Sequence, residues 1–222
     1  CYGGYVLRAG SLRSVPELHI AQHEEADRLV SEDPLALLVA MVLDQQIPLE
    51  KAFRGPLDLK ERLGKELDAA EIAAMDPEPL AKLFATPPAL HRFPGSMAGR
   101  VQEMCRVVSE DYDNDAAAIW SSAKTGEELL KRLKKLPGFG EQKAKIFLAL
   151  LGKQLGVRPK GWAEAAGTFG ERGSLRSVAD ITGPDTLHQV RAFKKEMKAK
   201  AKAEVSQAGP PKASSKARES VG

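Results

Sequence analysis

The chain has 222 residues, 43% of them hydrophobic and 28% charged, which suits one sizeable packed domain or two small lobes. No stretch approaches the roughly 18 apolar residues that a membrane span needs. With Cys1 and Cys105 as its only cysteines, the chain cannot build a disulfide framework or a four-cysteine zinc or iron–sulfur site, and a reducing cytoplasm is the expected compartment.

Charge is spread unevenly behind the net +3. From Arg191 to Gly222 there are nine Lys/Arg against three Asp/Glu, and from Lys124 to Lys160 there are ten against three. The remainder is acidic. Two basic zones on an acidic body point to a localised polyanion contact, although a solvated helix face and a disordered tail would give the same counts.

In chain order, nearly every segment predicts helix. The start, CYGGYVLRAGSLRS, lacks an initiating Met and an apolar core, so it does not read as a signal peptide, and residues 1–16 are expected to be a poorly ordered extension. EEADRLVSEDPLALLVAMVLDQQ holds two helices, the second capped by Asp33 with Pro34 at its first position. PLALLVAMVLD is apolar on nearly every face and belongs in the core. IPLEKAFRGPLDLKERLG predicts a helix broken near Gly55 and Pro56, and two short helices capped by Asp68 and Asp76 follow. Val101, Met104, Cys105 and Val108 form one helical stripe. A helix begins at Thr125 or Gly126, and another follows the turn at LPGFG. GWAEAAGTFGERGSLRSVADITGP is the least regular stretch. A basic helix starts at Pro184, and residues 206–222 read as a disordered basic tail. The hexapeptide GSLRSV occurs twice, from Gly10 and from Gly173, without a wider repeat.

The turn LPGFGEQKAK, Leu136 to Lys145, carries the strongest functional signal. Pro137 stops one helix, and Gly138 and Gly140 take backbone angles other residues resist. The amides opening the next helix are unpaired and lie at the positive end of its dipole. Lys143 and Lys145 add charge beside them. Such a device grips one phosphate without reading a base. An ordinary helical hairpin with a glycine turn has the same outline.

LPGFGEQKAKIFLALL resembles the helix-hairpin-helix of the DNA glycosylase superfamily that includes endonuclease III, adenine glycosylase and 3-methyladenine glycosylase, with Phe139 where Val or Ile is usual. LLVAMVLDQQIPLEKA resembles that family's first core helix and the Gln turn whose side chain fills the gap left by a flipped base. MAGRVQEMCRVVSEDY resembles the helix leading toward the hairpin. Together with TPPALHRFPGSMAGRVQ and LPGFGEQKAKIFLALLGKQLGVRPKGW, these segments look like an actinobacterial branch of base-excision repair proteins.

The resemblance implies an all-α, two-lobed fold over residues 17–205 with a DNA cleft between lobes: the terminal helices in one lobe, the helices from Pro56 to Lys153 in the other. It implies Leu136, Pro137, Gly138, Phe139, Gly140, Gln142, Lys143 and Lys145 as DNA-binding residues, and Gln45 or, better, Gln46 as the plug. It implies double-stranded DNA as partner, a monomer in the cytoplasm near the nucleoid, and no membrane. No cofactor is expected, with a monovalent cation at the hairpin as the one exception the family allows. The activity implied is a monofunctional DNA N-glycosylase removing a damaged base, an alkylated one being the least demanding because a cationic base leaves readily.

The departures from the pattern matter as much. The family's catalytic aspartate lies about eighteen residues past the position of Gln142, where this chain has Lys160. The nearest carboxylates on offer are Glu164 and, beside the Gln turn, Asp44. The lysine of the bifunctional lyases is replaced by Gln142, so no strand cleavage is expected. A non-catalytic DNA-binding or damage-sensing protein is the principal alternative, and a helical protein–protein module is the third. Trp120 reads as core, Trp162 as core or as a stacking surface, Arg92 or Phe93 as within reach of DNA, and His19, His23, His91 and His188 lack metal-ligand spacing.

Overall fold

The computed structural model describes residues 17–207, which form eleven α-helices and no strand; a single bridge pairs Thr125 with Lys160. The N-terminal extension, including the first GSLRSV, and residues 208–222 of the basic tail lie outside the described residues, while Ser206 and Gln207 continue the last helix.

The first helix, α1 (Glu24–Glu32), carries Asp27, whose buried carboxylate accepts from the amides of Ile20 and Ala21 at 2.8 and 2.7 Å and so folds the preceding segment onto it. Asp33 then caps α2 (Pro34–Leu43), accepting from Leu35 N at 2.8 Å and Ala36 N at 3.2 Å. A cap of this kind is worth about 1 kcal/mol. Every residue of α2 after Pro34 is buried. Each large side chain removed from water there contributes roughly 1.5–3 kcal/mol before entropy is charged against it, so α2 is the axis of the core.

The break expected near Gly55 and Pro56 is absent: α3 (Leu49–Leu63) runs through both, and both are buried. Packing outweighs the lost backbone bond. A Cβ on Gly55 would lie 2.4 Å from Leu43 Cδ1, so the bare glycine lets α2 approach closely, and Pro56 sits in that covered stretch beside buried Phe53 and Leu57. Next come α4 (Ala69–Ala74), capped by Asp68 through Glu71 N at 2.8 Å, and α5 (Pro77–Ala85), where Asp76 occupies the cap position without a side-chain bond. Both pack on α6 (Pro94–Asp111), whose stripe of Val101, Met104, Cys105 and Val108 is fully buried as the spacing predicts. Burial pushes the Cys105 thiol up to about 12, which makes it an inert core group.

A short α7 (Ala118–Ser121) brings Trp120 edge-on to Phe147, with ring centroids 5.8 Å apart. Thr125 caps α8 (Gly126–Lys135), which the glycine turn joins to α9 (Glu141–Gln154). The irregular stretch contains α10 (Trp162–Ala166) and a 3-10 turn at Val178–Asp180, entered through Ser177 of the second GSLRSV copy in a reciprocal cap with Asp180. The basic α11 (Pro184–Gln207) docks through Val190 and Leu187 and through an Arg191–Glu50 ion pair to α3. One contiguous hydrophobic cluster runs from Leu18 to Val190.

Two glycines separate packing from propensity. A Cβ at Gly152 would lie 2.2 Å from the Trp162 ring, whereas one at Gly99, on the exposed side of α6, meets nothing within 4 Å. Gly152→Ala is therefore expected to destabilise by about 1–3 kcal/mol through overpacking, and Gly99→Ala to stabilise by about 0.5–1 kcal/mol. Urea unfolding of the two variants checks this; equal shifts of one sign would contradict it.

Candidate nucleic-acid interface

The hairpin is held from inside and open outside. On α8, Leu129 and Leu133 face the core while Lys131, Lys134 and Lys135 are exposed. Leu136 and Phe139 are buried, with Phe139 packed 5.8 Å from Phe147, and Phe139 N donates to Leu136 O at 3.0 Å to close the turn. Pro137 is half-buried. Gly138 lies at φ 83°, a conformation that favours glycine. Gly138, Gly140 and Gln142 are exposed. Leu136 and Phe139 are thus anchors under the surface that the other hairpin residues present.

Gly140 is the cap residue of α9 and makes no side-chain cap; the first backbone bond into the helix is Ala144 N to Gly140 O at 3.0 Å. The amides of Glu141, Gln142 and Lys143 come before that bond, as the orphan donors of any helix start do. Space in front of Gly140 is empty to 4 Å. Glu141 would oppose an anion here. Its carboxylate is instead drawn sideways by Lys145 at 2.9 Å and Lys134 at 3.3 Å, which together hold its pKa below the usual range.

The glutamine turn abuts the hairpin. A Cβ on Gly138 would lie 3.8 Å from Val42 Cγ1 and 4.0 Å from Gln45 Nε2. Gln45 is fixed on every side. Its Nε2 donates to Val42 O at 3.0 Å, its Oε1 accepts from Arg100 at 2.7 Å, and its backbone carbonyl is 2.7 Å from His91 Nε2. Gln46 is exposed at φ 56°, so the strained backbone of the turn displays this side chain to solvent. Of the two glutamines, only Gln46 is free to reach outward.

His91 is buried, and it accepts from Phe93 N through Nδ1 at 3.0 Å, which leaves Nε2–H to donate to Gln45 O. Desolvation, and then the charges of Lys51, Lys143 and Arg100, hold its pKa below the ordinary histidine value and keep it neutral. Beyond His91, the Phe93 ring is 45% exposed with the Arg92 guanidinium 5.3 Å from its centroid. His91 and Arg100 are the residues that sequence reasoning missed. Neither has a motif spacing; only the tertiary meeting of α6 with the Gln turn gives them a role.

Lys143 points inward, toward the core helix. Its ammonium donates to Met41 O at 2.6 Å and lies 3.4 Å from Val42 O, so it satisfies carbonyls that the end of α2 leaves unpaired. Burial lowers its pKa to about 8, partly offset by the charge of nearby Asp44. Asp44 itself, half-buried at the end of α2, has its pKa raised by desolvation, with Lys194 of α11 and Lys143 pulling the other way.

The two candidate carboxylates are therefore placed differently. Asp44 adjoins the Gln turn and Lys143, whereas Glu164 is exposed on α10. Lys160, at the family's aspartate position, is bridged to Thr125 at the start of α8, with Gly126 N donating to Lys160 O at 2.8 Å. That is the opposite end of α8 from the glycine turn, about 15 Å away for a helix of this length. Among the described residues no three His, Cys, Asp or Glu form a group able to hold a metal ion. No protein-family model, curated protein or solved structure matches the chain, so the family resemblance stands on the motif residues themselves.

Lys143 gives a pH signature. Its folded pKa is depressed from 10.5 to about 8, so the unfolded chain binds the extra proton between those values, and its contribution to stability rises with pH across that window. Relative to Lys143→Met, the wild type is expected to gain on the order of 2 kcal/mol between pH 7.5 and pH 10. Thermal melts at several pH values test this; a constant difference would show that the ammonium is solvated rather than held on α2.

Proposed function

We propose that this chain binds double-stranded DNA with the hairpin and the Gln turn and serves base-excision repair, on a two-lobed helix-hairpin-helix scaffold. The observation that carries the reading is the glycine turn lying against the Gln turn: exposed Gly138 approaches Gln45, the neighbour of exposed Gln46. One strand's phosphate is taken by the amides after Gly140, with the dipole of α9 behind them. Gln46 enters the duplex where a base is rotated out, and exposed Phe93 with Arg92 offers a stacking surface near the same turn. Lys134 and Lys145 pair with Glu141 and so offset its charge beside the phosphate.

In the enzymatic form of this reading the protein hydrolyses the N-glycosyl bond of a damaged base. Leaving of the base builds positive charge on the sugar, which a carboxylate stabilises while orienting water. Asp44 is the candidate nearest the plug, and its desolvation would strengthen such an electrostatic contact. No amine occupies the position of the family's lyase lysine, so the activity would stop at the abasic site.

A second reading, DNA binding without base removal, is favoured by one observation: the segment where the family keeps its aspartate carries Lys160 and lies at the far end of α8. Duplexes carrying uracil, oxidised guanine or N-alkylated purines, incubated with the protein and then treated with alkali, separate the two. Abasic-site release that is lost in Asp44→Asn supports the glycosylase; tight binding to the whole panel without release supports the sensor.

Gly140→Asp is the cleaner probe of the shared premise. Its φ of −75° suits any residue, and a Cβ there meets nothing, whereas Gly138 would also suffer backbone strain. The variant is expected to keep its helicity and to lose duplex binding by at least tenfold, as a carboxylate replaces the bound phosphate. Wild-type affinity should also fall steeply with salt. Unchanged affinity in Gly140→Asp removes the hairpin from the function.

A further inference from the structure

The far end of α9 holds a cavity that the hairpin reading does not use. It has a volume of about 780 Å³, within the range of small-molecule sites, and lies between the last turn of α9, α10, the glycine-rich segment after it and the start of α11. From Gly140 to Gln154 the helix rises roughly 20 Å, so the cavity is remote from the glycine turn.

Its charge is one-sided once the internal pairs are set aside. Asp180 is the acidic side chain in the lining, and it is saturated: Lys153 donates to it at 2.5 Å, Ser174 Oγ at 2.9 Å, and the amides of Arg176 and Ser177 at 2.9 and 3.1 Å. Two lining arginines remain. Arg158 uses only Nε, to Gly152 O at 2.8 Å, which leaves its terminal nitrogens unpaired among the described residues. Arg172 has no ion pair there either. A guanidinium free of a carboxylate is a fork suited to phosphate oxygens.

The wall beside them is aromatic. Trp162 lies directly on the bare backbone of Gly152, which only a glycine admits at that distance, yet the ring is not fully covered. An indole fixed against a helix in this way presents a rigid face for a flat ring. Exposed Gln189 supplies an amide able to donate and accept. A cationic fork beside a fixed aromatic face matches a ligand that is planar at one end and phosphorylated at the other.

We infer that this cavity binds a nucleoside phosphate, with Arg158 and Arg172 on the phosphate and Trp162 against the base, at a site separate from the hairpin. The unit comes either as a free nucleotide or as the end of a single strand.

The test uses the full chain and the fluorescence of Trp162, Trp120 being a buried and constant background. Adenosine 5′-monophosphate and a four-nucleotide single strand are titrated separately, with adenosine as the control lacking phosphate. Saturable quenching by the mononucleotide assigns the free form, and quenching by the strand alone assigns the strand-held form. In either case Arg158→Ala with Arg172→Ala is expected to weaken binding at least tenfold, Arg172→Ala alone to weaken it without moving the melting temperature, and adenosine to bind at least tenfold more weakly. Gly140→Asp should leave this binding intact, so the cavity and the hairpin succeed or fail independently. Absence of quenching by either ligand up to millimolar concentration, or equal affinity in the double variant, overturns the inference.

Discussion

The ammonium of Lys143, resting on Met41 O at 2.6 Å, joins the two parts on which the proposed DNA-binding face depends. One part is α2, wholly apolar and inside the core, whose Met41 carbonyl near the helix end takes the Lys143 ammonium. The other is the first turn of α9, which begins at Gly140 and needs open amides to be useful. One lysine satisfies the first without blocking the second, because its ammonium turns to α2 while Gly140, Glu141 and Gln142 remain exposed. Desolvating a cation in this way is unfavourable, and burial accordingly lowers its pKa to about 8. The carbonyl contacts and the nearby Asp44 are what retain the charge.

The rest of the face follows from rigidity around that joint. Gln45 is held by Val42, Arg100 and His91, which fixes the residue before Gln46 in the turn. Neutral His91 also fixes the Phe93 amide, which ties the 91–93 loop to the same turn. Buried Leu136 and Phe139 hold the hairpin from beneath. Binding elements held this way lose little freedom on contact with a ligand, which is where preorganised sites gain affinity.

Local signals were legible in the residues. Asp33 with Pro34, Asp68, Thr125 and Pro184 marked helix starts correctly, because a cap is a contact between near neighbours. The Val101–Val108 stripe was visible from its period. Gly55 and Pro56 misled, since a buried interface with Leu43 overrides the local preference to break, and that interface is tertiary. The same reason hides the inward turn of Lys143, its partner being about a hundred residues away. His91 and Arg100 carry no motif and acquire meaning only where α6 meets the Gln turn. The GSLRSV copy at Gly173 becomes intelligible only as the cap of a 3-10 turn and the cradle of Asp180.

In the proposed reading the amides after Gly140 and the Gln46 turn form one DNA-contacting surface. Titration of the 15N-labelled protein with a duplex containing an abasic-site analogue, followed by amide chemical shifts, addresses it residue by residue. Gly140, Glu141, Gln142 and Gln46 are expected to shift together at the lowest duplex concentrations, with saturation at one equivalent. Shifts confined to α11 and the outer face of α8, with those four amides unmoved, would contradict it and reduce the chain to a protein with a merely basic surface.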